Sequence, residues 1–138
     1  MATQTLAMTD ALEDKILNHI FRLTASATPG ATHLALFTAM AAPEAGTVTE
    51  VGAGVGYARQ PITFSAPTTN GTARRIASSG TITFGPNTTT NWGTIVGVGI
   101  YDLITGGVLL MYCTGLSTPV VVGESVTVQS TTLTVDLD

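Results

Sequence analysis

Only one segment of this chain carries a helical period, and everything after it alternates every second residue or runs in short apolar bursts. Leu12, Ile16, Ile20 and Leu23 recur at spacings of three or four, with Leu17 and Phe21 widening the stripe, so a helix is predicted over about 10–24. Asp10 followed by Glu13 imitates a capping box at its start, and Ser26–Gly30 (SATPG) ends it. From His33 onward the pattern changes. HLALFTA (His33–Ala39) reads as a buried strand, and glycine and proline punctuate the rest of the chain.

A long loop poor in bulky side chains is predicted over about 41–56, leading into YARQPITF, a strand that Pro61 marks as an edge or a bulge. ARRIASSGTITFG places Ile76, Ile82 and Phe84 in the core. GTIVGVGIYDL and VLLMYCTG form a hairpin around Thr105-Gly106-Gly107. The closing VTV and LTVDL alternate strictly. Seven or eight short strands with frequent turns predict a mainly β chain, an antiparallel β-sandwich or jelly-roll-like barrel with one N-terminal α-helix, in a single domain over 1–138.

Composition agrees. Of the 138 residues, 44% are hydrophobic and 10% charged, far below the roughly 25% charged share of ordinary soluble domains. Threonine is the commonest residue, and it suits a pleated, half-buried surface better than a helix interior. The net charge of −4 with five basic residues argues against a nucleic-acid partner, which requires clustered Lys and Arg. No run reaches the roughly 18 apolar residues of a bilayer span, and no secretion signal is visible, so no membrane partner is expected. Cys113 stands alone in an apolar context and reads as a buried thiol.

VGAGVGYARQPITF (Val51–Phe64) imitates a phosphate loop through Gly52, Gly54 and Gly56. Such a loop must lead from a strand into a helix, and its Walker form needs Lys followed by Ser or Thr; neither is present. The glycines are expected instead in an extended arm or loop reaching a neighbouring subunit, with Tyr57 and Arg59 at its root as contacts. Arg74-Arg75, the one adjacent basic pair, suits an anionic partner, a solvated strand end or a subunit salt bridge. Trp92 and Tyr101 are candidates for stacking on a sugar ring, a role that competes with core or interface packing. His19 and His33 read as packing or helix-end residues, and Asp102 and Glu124 as turn-end carboxylates. No catalytic, metal or cofactor motif emerges, and no enzyme is expected.

Gly56-Tyr57-Ala58-Arg59-Gln60, Ile100-Tyr101-Asp102 with Thr105-Gly106-Gly107, and Gly123 before the last strands carry a likeness over about Asp10 to Asp138. In that order of segments the chain resembles small tailed-bacteriophage virion proteins. Members are often labelled tail-fibre-like, and small β-sandwich proteins of this kind also serve as capsid decoration, or cement, proteins. The resemblance implies a non-enzymatic virion part assembled in the bacterial host cytoplasm. Its leading form is a decoration protein that bridges and stabilises subunits on the outside of the shell. The implied partners are then the major capsid protein and copies of itself, as a dimer or trimer. The alternatives are a tail-fibre or neck component with tail or neck partners, and a host-surface carbohydrate-binding module. Low charge suits broad permanent contacts, and the helix and the 41–56 loop are the expected docking elements, with covering one end of the sandwich the equal alternative for the helix.

Overall fold

The computed structural model describes residues 2–138. In chain order the elements are β1 (Gln4–Thr5), β2 (Ala7–Met8), α1 (Asp10–Ile20), β3 (Thr32–Ala42), β4 (Thr47–Glu50), β5 (Gln60–Phe64) and β6 (Thr68–Asn70). They continue with β7 (Ala73–Ser79), β8 (Ile82–Phe84), β9 (Gly93–Ile95), β10 (Gly97–Tyr101), β11 (Leu109–Cys113), β12 (Thr118–Val120), β13 (Val126–Val128) and β14 (Leu133–Leu137). The chain is mainly β with one helix, as its periodicity predicts.

Half of the sheet is one long antiparallel ribbon turning at Leu103–Gly107. Arg74 stands opposite Leu137, Ile82 opposite Val128, Ile95 opposite Thr118 and Ile100 opposite Met111, so the register hardly drifts along it. Glycines and prolines interrupt the ladder without ending it. Backbone hydrogen bonds from Asn87 to Glu124, Gly123 to Asn87, Leu116 to Val96 and Thr131 to Ser78 carry the pairing across the gaps. These interruptions, together with β1, β2, β4 and β6, give fourteen short strands where seven or eight are predicted.

The ribbon curls until its ends flank the first half of the chain, in the order β14-β7-β5-β3-β10-β11. The sheet is nearly closed, and the closing piece is the N-terminus. β1 pairs in parallel with β14 while β2 pairs antiparallel with β11, and Leu6 between them is buried in the core. Residues 4–8 thereby cover two edges that would otherwise present unpaired N–H and C=O groups. The molecule is a nearly closed, barrel-like sheet with one helix.

Inside lie Leu34, Leu36, Ile62, Phe84, Trp92, Val98, Val128 and Leu133, among others. A second, smaller cluster sits on the outer face: Ala35, Phe37, Tyr101 and Leu109, with Met40, Val48 and Tyr112 against them. Alternation along β3 feeds both clusters. Register shifts at Phe37/Ala39 and Ala39/Ala42 bend the β3–β4 hairpin over that outer cluster, and the Glu44 carbonyl accepts from the Asp10 N–H.

Two predicted boundaries are corrected. The 41–56 loop is largely a hairpin, with β4 paired to β3; its alanines and threonines carry little hydrophobic signal, yet strand pairing uses only the backbone. The helix ends at Ile20 instead of about 24. Leu23 turns left-handed at φ 53° and the Thr24 N–H reaches the Asn18 carbonyl, a helix-closing arrangement. Thr9, not Asp10, caps its start: Oγ1 accepts from the Leu12 N–H and also reaches the Leu109 carbonyl at 2.7 Å.

Candidate functional site

The stretch Val51–Phe64 is folded against its own chain instead of forming an arm. Val51 is buried, Gly52 to Gly56 make a compact turn, and the Val55 carbonyl accepts from the Trp92 indole at 2.9 Å and from the Thr88 N–H at 3.3 Å. Gly54 and Gly56 both have positive φ. At Gly56 a Cβ would also run into the Pro86 carbonyl oxygen, so that glycine is required by packing as well as by conformation. Gly52 and Gly54 remain on the surface.

Tyr57 and Arg59, expected as contacts with a neighbour, are both buried. The Tyr57 ring stacks on Phe84 and meets Trp92 edge-on. Its hydroxyl donates to Glu50 Oε1 at 2.6 Å and accepts from the Leu36 N–H at 3.1 Å. Burial, reinforced by the bond to Glu50, pushes its pKa far above the ordinary tyrosine value.

Arg59 spends its guanidinium on three sets of partners. Nε and Nη2 form a bidentate pair with Glu50, Nη1 donates to the carbonyls of Leu103 and Gly106, and the plane lies 3.5 Å over the Tyr101 ring. Burial opposes its charge, but the Glu50 carboxylate outweighs burial and holds its pKa above the ordinary value. Arg59 therefore locks the tip of the long ribbon to the β4–β5 connection. A cleft of about 390 Å³ opens beside it, lined by Glu50, Val51, Tyr57, Arg59 and Ile104 among others. Sequence reasoning singled out Arg59 but missed Glu50, which closes an otherwise featureless TVTE strand and carries no local signal.

The aromatic pair proposed for sugar stacking is turned inward. Trp92 packs on Tyr57, and Tyr101 is covered by Arg59 and, edge-on, by Phe37. Neither ring offers a free face to a glycan, because both are consumed by the core clusters.

Arg74 and Arg75 have partners within the chain. Arg75 makes a bidentate pair with Asp136 opposite it on β14, and the bond lowers the Asp136 pKa below the usual carboxylate range. Arg74 donates to Thr69 Oγ1 and the Pro67 carbonyl. The remaining chemistry-bearing groups have structural surroundings. Asp102 accepts from the Val108 N–H and Glu124 from the Val121 N–H, so each carboxylate closes its own turn. Cys113 is buried, which raises its pKa, and its thiol donates to Gln4. The structure does not bring His19, His33 and Cys113 into hydrogen-bonding contact, and His33 Nδ1 is buried without a partner among the described residues.

What the surface does offer is apolar. Ile16, Leu17, Ile20, Phe21 and Leu23 stand exposed on α1 and just beyond it, Leu103 and Ile104 at the ribbon tip, and Val121 and Val122 on the β12–β13 turn. Five of these lie together on and just beyond α1, and the others occur as two adjacent pairs.

The family model described as podophage GP4 fiber I protein gp80 matches residues 7–136. No curated protein matches the chain. A match over nearly its whole length places the chain in that family, to which it belongs.

Proposed function

We propose that this member of the gp80 fibre family is a non-enzymatic structural component of a phage tail fibre, assembled in the host cytoplasm with copies of itself and other virion proteins. The observation that carries the reading is the family match over residues 7–136, which spans the barrel and its helix alike. A fibre segment must hold its shape and present contact surfaces. The nearly closed sheet leaves few backbone groups unpaired, and the Arg59 lock pins the ribbon tip, while the exposed apolar side chains are available to neighbours. The family's description supports a fibre position over the capsid-decoration role expected from the sequence, with its major capsid protein partner.

Labelling intact particles with antibody against the purified chain, together with counting copies per particle, tests the reading. Label on the tail at low copy number is expected. Label spread over the shell in hundreds of copies would replace the fibre with a decoration protein, and absence from purified particles would remove both.

A further inference from the structure

Helix α1 turns one member of its apolar stripe, Leu12, to the barrel core and leaves the rest outward. The half-buried residues are Ala11, Leu12, Lys15 and Asn18, which mark the side turned to the barrel, with Lys15 Nζ lying 3.9 Å from Asp102. Leu17 and Ile20 lie away from the barrel and Ile16 at the flank of that side, 53%, 56% and 38% exposed, and Phe21 and Leu23 follow at 75% and 87%. A helix on a globular surface ordinarily turns its apolar stripe inward. Here most of the stripe is left for something else to cover.

The amount is sufficient for a real interface. With about 200 Å² presented by each fully open large apolar side chain, the five expose on the order of 600 Å², most of the roughly 800 Å² per partner of a stable protein contact. The charges narrow the choice of partner. Asp10, Glu13 and Asp14 form an acidic N-terminal end, and His19 and Arg22 stand at the other. An anionic lipid surface would be repelled by the acidic end and by the net charge of −4. Helices packed in parallel around a three-fold axis would set the three acids beside one another.

We propose that this face pairs with the same face of a second copy, the two α1 helices running antiparallel across a two-fold axis that lies between Leu17 and Ile20 on the outward side, level with Asn18 along the helix. In that arrangement Leu17 and Ile20 of each copy meet across the axis, and Asp14 of one copy falls beside Arg22 of the other, whose exposed guanidinium exchanges its 2.8 Å bond to Asn18 Oδ1 of its own chain for the carboxylate. The opposed helix dipoles add favourably. Leu23 projects beyond the crossing towards the groove of about 290 Å³ that lies between α1 and Ser26–Pro29 of the second copy, lined by Leu12, Ile16 and Leu110 among others. The interface is isologous, each surface complementary to itself.

Sedimentation equilibrium and light scattering on the purified full chain test this directly, and neither depends on the fibre position. A dimer is expected. Leu17→Asp should raise its Kd at least about tenfold while near-ultraviolet dichroism stays unchanged, since Leu17 touches none of the barrel core; if Leu17→Asp disturbs the fold, Phe21→Ser carries the same test. Asp14→Arg and Arg22→Asp should each weaken the dimer, and the double variant should restore it. A wild-type monomer or trimer, a dimer indifferent to Leu17→Asp, or failure of the double variant to recover association would each overturn the proposal. Shell label in particles would sink the fibre reading and leave this dimer standing.

Discussion

Arg59 and Glu50 stand nine residues apart in sequence and meet through two parallel hydrogen bonds, Nε to Oε1 at 2.9 Å and Nη2 to Oε2 at 2.7 Å. Because Nη1 also holds the carbonyls of Leu103 and Gly106, this single side chain ties three separate pieces of backbone together. Arg59→Ala leaves Glu50 without its cation, held by the Tyr57 hydroxyl alone, and takes the arginine donor from two carbonyls. Breaking a buried pair costs about 3–5 kcal/mol, and the partial exposure of Glu50 lowers the expected loss to about 2–3 kcal/mol. Urea unfolding reads the loss, and hydrogen exchange should show faster opening at 103–106. Unchanged exchange there would mean that the ribbon tip holds itself.

Gly54 and Gly56 have nearly equal positive φ angles but unequal surroundings, since a Cβ at Gly54 meets nothing within 4 Å. Gly54→Ala should cost about 1 kcal/mol from conformation alone, and Gly56→Ala about 2–4 kcal/mol because the Pro86 carbonyl must also move. Thermal melts of the two variants give the comparison. Equal shifts would show that the Pro86 contact yields freely.

Leu6 is the buried residue of the five-residue segment that closes the sheet. Leu6→Ala should destabilise the fold by about 2–4 kcal/mol, the usual cost of emptying a core site. Deleting residues 1–8 should go further and expose the edges of β14 and β11, so that light scattering detects aggregation during expression or refolding. A truncated chain as stable and monodisperse as the full one would remove the closing role of the N-terminus.

Two titrations have opposite signs. Asp136 has a folded-state pKa lowered by the hydrogen bonds from Arg75, so its contribution is complete above the unfolded carboxylate value near about 4 and is lost as pH falls through the folded one. Asp136→Asn should flatten the acid limb of a plot of urea midpoint against pH. An unaltered acid limb would assign it to other carboxylates.

Tyr57 has a raised pKa, so its contribution is complete below the unfolded value near about 10 and fades as pH climbs towards the folded one. Tyr57→Phe should lower stability at neutral pH by about 1–2 kcal/mol, through loss of the bonds to Glu50 and Leu36, and should weaken the alkaline limb. An alkaline limb that is unchanged in the variant would separate Tyr57 from the high-pH loss.

The sequence by itself determined the elements whose cause is local. The i, i+4 recurrence of Leu12, Ile16 and Ile20 set the helix, alternation at Val126, Val128, Leu133 and Val135 set the closing strands, and Gly106-Gly107 set the ribbon tip. Turn roles for Asp102 and Glu124 and the burial of Cys113 followed from near neighbours in the same way. Tertiary structure alone decided what depends on distant backbone. Residues 4–8 become strands because β14 and β11 offer free edges, and TVTE becomes a strand because β3 lies beside it. Tyr57, Arg59, Trp92 and Tyr101 turn inward because the curl of the ribbon brings Glu50, Phe84 and the 103–106 carbonyls to them. The same holds for α1: its 3.6-residue period revealed an apolar stripe, but a period has no outside. Which side meets solvent is set by where the barrel seats the helix, and here Leu12 packs with Ala11, Lys15 and Asn18 towards the barrel while Ile16, Leu17 and Ile20 of the stripe are left exposed.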